Sequence, residues 1–175
     1  MLLGTLSQSS VDTALLIGRL VLALVFLAHG IRHIFGGGKI AGTARWFESL
    51  GMRPGIVHAW FASLTEVGAG VLLILGLLTP LACAGVVGVM LVAWITNHWK
   101  NGFFIFYKGE GYEYVMTLTM VGILLGTLGP GTWSIDGHVS GLEKLWGWPG
   151  FAIAFGGGAL GCALLLATSW RPERS

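Results

Sequence analysis

Charge is what this sequence has least of. Only 10% of its 175 residues are Asp, Glu, Lys or Arg, against roughly 25% in an ordinary soluble domain. Mean hydropathy is +0.78 and 54% of the chain is hydrophobic. Such a chain is a membrane protein, and its length suits one domain. The formal net charge is +2, and the ten Lys and Arg residues form no basic run, so nucleic-acid binding has no support. Cysteine is nearly absent too. Cys83 and Cys162 lie far apart in apolar segments with no C-x-x-C, which excludes a metal ribbon, a thioredoxin-like dithiol and membrane disulfide chemistry. The serines are isolated, with no nucleophile elbow. The Gly-Gly-Gly runs at 36–38 and 156–158 follow no strand, so neither is a phosphate loop. No motif for flavin or haem is present, nor one for an iron–sulfur cluster.

Long apolar runs are what is there. Five could cross a bilayer core, which needs ~20 helical residues: Thr13–Phe35, Val57–Leu78, Leu81–Trp99, Tyr112–Leu128 and Gly150–Trp170. The expected fold is all-α, a polytopic transmembrane bundle. Thr79-Pro80 makes a tight hairpin of the second and third runs. The first run is not expected to be a cleaved signal peptide: it lacks a basic leader and an A-x-A site, and Arg19 interrupts it. Between the first two runs, Ile40, Ala44, Phe47 and Leu50 recur at helical spacing, with Lys39, Arg45 and Glu48 on other faces. This predicts a short surface helix over about 39–50, lying on the membrane or packed on the bundle. Trp46, Trp60, Trp99, Trp133, Trp148 and Trp170 sit near run boundaries, as an aromatic belt requires. Gly122/Gly126 and Gly157/Gly161 are small-residue pairs suited to helix packing within the chain.

Five spans place Arg32, Lys39, Arg45, Arg53, Lys100, Lys108, Arg171 and Arg174 on one side, with only Arg19 and Lys144 assigned to the other. The positive-inside rule makes the first side cytoplasmic, with the N-terminus outside and the C-terminus inside.

Glu66 breaks the apolar pattern. It lies about 14 Å into the second run, where an ionised carboxylate is costly and an acid suggests function. Ala62, Ser63, Ala69 and Gly70, three and four residues away, are all small, so Glu66 is expected to face another helix at close range. Helix locking by a protonated or paired acid is the structural alternative. His29, His33, His98 and Glu113 all fall at the same end of their runs. His29 and His33 have the spacing of a metal-chelating pair, but with no third ligand evident no metal is expected. Depth alone makes His29, Asn97 or His98, and Glu113 or Tyr114 the candidate partners of Glu66. His29 ranks first, because the first run should neighbour the second and Gly30 beside it offers a close helix approach. Tyr112, Tyr114, Trp60, Asn97 and His98 are the candidate ligand-binding residues around the candidate proton or redox groups Glu66, His29 and Glu113.

The stretches "RLVLALVFLAHGIRHIFG" (19–36), "RWFESLGM" (45–52), "LTEVGAGVLLILGLLTPLA" (64–82), "GYEY" (111–114) and "GPGTWSID" (129–136) resemble the DoxX family of small bacterial membrane proteins. The resemblance covers about 12–138. It implies a four-helix membrane domain over 1–138, with the 39–50 helix on its cytoplasmic side. The remainder, 139–175, then holds a loop, an added fifth transmembrane helix and a short tail. On that division, deleting 147–175 is expected to leave the four-helix bundle folded. The family name comes from a thiosulfate:quinone oxidoreductase subunit. By motif, Glu66 corresponds to the acid of "TE.G.G", His29 to the histidine of "AHG" and Glu113 to the acid of the Gly-aromatic-Glu-Tyr stretch. The resemblance implies a multi-pass protein of the bacterial inner membrane. It points to a redox-linked subunit with a quinone or proton site, or to a non-catalytic accessory subunit of a membrane complex. Expected partners are membrane lipids and other membrane subunits or further copies of the chain. A lipid-handling carrier is weakened by the lack of inverted repeats.

Overall fold

The computed structural model describes residues 6–172. Within them the chain forms six helices: α1 (Gln8–Phe35), α2 (Lys39–Ser49), α3 (Gly55–Leu75), α4 (Thr79–Asn101), α5 (Glu113–Leu128) and α6 (Trp148–Ser169). Helices α1, α3, α4 and α6 are long and apolar enough to cross a membrane. The fourth span, expected over Tyr112–Leu128, forms within one residue of that range, but it is short for a bilayer. Helix α5 has 16 residues, roughly 24 Å at 1.5 Å per residue, against an apolar core of about 30 Å. Gly129-Pro130 stops it at one end. At the other, the Glu113 carboxylate accepts a bond from the Ile105 amide at 3.0 Å, folding the 103–111 loop back over the helix start.

The four helices α1, α3, α4 and α5 close a ring in which each packs on two others, and α2 lies across α1 and α3 at one end. Phe26, Leu22, Leu73, Val86 and Val115 fill the core. Outward-facing Leu24, Phe61, Leu64, Leu124 and Leu164 remain exposed, as a surface solvated by lipid requires. Helix α2 packs on the bundle through buried Ala44 and Phe47, while Trp46 on its other side is exposed.

Helix α6 is more closely integrated than an added helix would be. It packs on α4 and α5. A Cβ at Gly158 would meet the Val87 side chain at 2.7 Å and the Ala84 carbonyl at 2.9 Å. Its end is sealed to the turn after α2: the Trp170 indole donates to the Leu50 carbonyl at 2.9 Å, and the Arg53 and Arg171 amides donate to Ser169 and Gly51 carbonyls at 3.0 and 2.7 Å. The predicted Gly157/Gly161 packing pair is corrected. The close contact belongs to Gly158, while a Cβ at Gly161 would meet nothing within 4 Å. Gly122 and Gly126 do pack tightly, against Val86 and Ala154.

Buried polar groups organise the opposite end. Arg19 is 0% exposed, although charge counting assigns it to a membrane face. Its guanidinium donates to the carbonyls of Leu73 (3.0 Å), Ile74 (3.4 Å) and Trp133 (2.6 Å). Leu73 and Ile74 lie in the last turn of α3, where carbonyls run short of helical donors and a cation suits the helix C-terminus. Trp133 lies in the loop after α5, and Leu73 also receives the Gly76 amide at 3.3 Å. Gly76, left-handed at φ 60°, ends α3 there because a side chain would strike Arg19 and Ser134. Asp136 accepts the Leu78 and Thr79 amides at 2.7 and 2.8 Å, capping α4 from across the fold. Asp12 accepts the Thr132 amide at 2.7 Å. Arg174 lies outside the described residues.

Candidate functional site

Close approach of two helices sets the site. Gly30 of α1 lies against α3 so tightly that a Cβ would meet the Val67 side chain at 2.8 Å, the Ser63 carbonyl at 2.9 Å and the Glu66 Cβ at 3.1 Å. The small residues flanking Glu66 thus receive a helix at short range, as their spacing predicts. The facing histidine differs from the expected one. His33 Nδ1 lies 3.2 Å from Glu66 Oε2. The ring of His29 is exposed and its Nδ1 pairs with its own helix, the Val25 carbonyl, at 2.8 Å. Helical geometry explains the correction: residues three apart share a face, so the contact residue Gly30 brings His33 to Glu66 and turns His29 aside.

Glu66 is 4% exposed. Its approach to His33 falls outside hydrogen-bond alignment, and neither facing atom has another hydrogen-bond partner among the described residues. Buried polar atoms are rarely left so. The pair borders a cavity of about 610 Å³, within the ~300–1,000 Å³ usual for small-molecule sites. The cavity runs along α4 from Leu81 to His98, with α3 and α6 as walls. Gly85, Gly88, Gly157 and Gly161 line its apolar length.

A second polar group closes the α2 end of the cavity. The last turns of α4 widen into a π-helical segment, Trp94–His98, a feature common at functional sites because it re-aims side chains. His98 is buried there. Its Nδ1 bonds the Glu110 carbonyl at 2.8 Å, so Nδ1 carries the hydrogen and Nε2 accepts from Tyr114 Oη at 2.7 Å and Asn97 Nδ2 at 3.1 Å. With its hydrogen committed to His98, the Tyr114 hydroxyl presents oxygen lone pairs. His29, His33, Glu66, Asn97, His98 and Tyr114 all line this one cavity.

Three predicted site residues lie elsewhere. Glu113 holds the 103–111 loop through Ile105 and does not border the cavity. Tyr112 is stacked between Trp94 and Trp99, at ring-centroid distances of 5.4 and 5.5 Å. Trp60 is 41% exposed on the outer face of α3 and also lies off the cavity. His58 is the residue that sequence reasoning missed. It is buried, lines the cavity and has an unpartnered Nδ1. Its signal was present, since 58, 62 and 65–66 repeat at helical spacing and place His58 on the Glu66 face.

Residues 14–99 match the DoxX family. The chain carries a DoxX domain. The matched segment spans α1 to nearly the end of α4, and so includes Glu66, His33, His58, Asn97 and His98. Tyr114 and the α6 wall of the cavity lie beyond it. No curated protein and no solved structure matches the chain.

Proposed function

We propose that this DoxX protein binds the head group of a membrane quinone in the cavity beside Glu66 and serves as a redox-linked subunit. The observation that carries this reading is the buried Glu66–His33 pair, short of partners and facing an apolar cavity that also receives His98 and Tyr114. A quinone needs an apolar slot for its tail and one or two hydrogen-bonding groups for its carbonyls. Its reduction also takes up protons, and an acid beside a histidine can deliver them. The length of the cavity along α4 provides the slot. Glu66 and His33 supply polar atoms on one side. On the other the Tyr114 oxygen, its hydrogen held by His98, accepts a bond from the hydroxyl of the reduced quinol. Two-electron chemistry belongs to the quinone; the chain's residues bind, orient and hold protons. Electrons come from a partner subunit. The bundle sits in the bacterial inner membrane, with the α2 end and its basic residues in the cytoplasm.

Purification in mild detergent, solvent extraction and measurement of bound quinone test the reading, followed by titration with a short-chain quinone read by tryptophan quenching. Wild-type protein is expected to retain or bind quinone. Glu66→Leu should weaken binding about tenfold or more, as loss of a hydrogen bond involving a charged group implies. Glu66→Gln keeps size and hydrogen bonding and should lose less. Protein that neither retains nor binds quinone, yet holds stoichiometric membrane partners, would replace this reading with that of an accessory subunit.

A further inference from the structure

A second, smaller cavity of about 220 Å³ lies beside the first, lined by Arg32, His33, the Gly36–Gly38 turn, Lys39, Gly42, Thr43 and Trp46. Its lining is mixed polar and apolar, and it opens at the surface of the α2 end. His33 and Trp46 line both cavities, so the His33 side chain is a partition between this open vestibule and the interior acid. His33 Nδ1 is buried toward Glu66, while the side chain as a whole stays 19% exposed. The Thr43 hydroxyl donates to the His33 carbonyl at 2.8 Å, and the rings of Trp46 and Phe47 lie 6.3 and 6.4 Å from the imidazole. Helix α2 therefore fixes the partition in place.

We infer that His33 is the proton relay of this site, carrying protons from the vestibule to Glu66. The inference rests on reading Glu66 as the proton-exchanging acid of the cavity. Imidazole suits the task because it carries two nitrogens, one of which can take up a proton while the other gives one up. A proton from vestibule water binds Nε2 and the Nδ1 proton passes to the Glu66 carboxylate, which leaves the ring as the Nε2–H tautomer. The ring resets when Glu66 later returns its proton to Nδ1 and Nε2 releases one to the vestibule, or when water exchanges the two ring protons. Charge is conserved at each step. The groups facing this path are Arg32 and Lys39 around the vestibule, Arg45 beside the Gly38–Gly42 contact, and His29 and Glu66 on the cavity side. The basic rim disfavours lingering of a proton in the vestibule, so occupancy shifts inward to the acid. Gly42 leaves the vestibule open: a Cβ there would meet nothing nearer than the Arg45 guanidinium at 3.9 Å.

The test needs no quinone, so its failure is separable from failure of the binding reading. Full-length protein in lipid vesicles is dropped rapidly in pH, and the carboxyl stretch of Glu66, assigned by its loss in Glu66→Gln, is followed by infrared spectroscopy. Wild type should show fast growth of the band. His33→Leu should slow it on the order of tenfold or more, the scale of a lost positioned proton carrier. Gly42→Phe, which fills the vestibule and keeps His33, should slow it as well; equal final band areas show that both variants are folded. Unchanged rates in both variants overturn the relay. A slow His33→Leu with a normal Gly42→Phe overturns the vestibule route, and a Glu66 band that cannot be titrated removes the acceptor.

Discussion

Replacing Arg19 with methionine isolates what the far end of the bundle owes to one buried cation. Methionine keeps much of the length and none of the donors. Two hydrogen bonds are well formed, to Leu73 at 3.0 Å and Trp133 at 2.6 Å; the third, to Ile74, is long at 3.4 Å and counts for little. A hydrogen bond to a charged group contributes about 1.5–3 kcal/mol, so two contribute roughly 3–6 kcal/mol. Against this stands the desolvation of the guanidinium, which methionine does not incur. The net loss should be about 2–4 kcal/mol, because the Trp133 carbonyl loses the guanidinium and Leu73 keeps only the long bond from the Gly76 amide, at 3.3 Å. Arg19→Lys, with a single point of donation, should lie between. Reversible unfolding in mixed micelles, followed by circular dichroism against the mole fraction of denaturing detergent, measures the difference. A change below about 0.5 kcal/mol would mean that water or lipid satisfies those carbonyls equally well, and the capping role would be wrong.

Tyr114→Phe removes the donor to His98 Nε2 and should cost about 0.5–1.5 kcal/mol of stability, with a several-fold weaker quinone titration that His98→Leu does not deepen further. Deleting 147–175 strips α6 from Val87 and uncovers Met52, each at most 1% exposed; thermal unfolding should fall and quinone binding should disappear, whereas an intact, equally stable bundle would return α6 to a mere appendage. Cysteines placed at Lys39 and Lys144 should be labelled from opposite sides of sealed vesicles, and labelling of both from one side would sink the orientation proposed here.

The all-helical membrane fold was legible because lipid leaves a chain few alternatives. Long apolar runs must satisfy their backbone within helices, and that depends on local composition alone. The small residues around Glu66 likewise announced a close helix, since only a small stripe lets backbones approach. The sequence pointed rightly to Gly30 as the close approach but put His29, not His33, opposite Glu66, because that choice depends on the rotation of α1 against α3. Only packing at Gly30 set that angle. The π-helical turn that aims His98 leaves no mark in hydropathy, nor does the stacking of Tyr112 on Trp94, the first residue of that turn. Arg19 read as a charge at a membrane face; in the fold it is a cap for α3, because its partners lie 54 and 114 residues away in sequence. Composition and periodicity thus determined which segments enter the membrane. The rotation and close contact of those segments decided which polar side chains meet, since such contacts join residues that no local pattern relates.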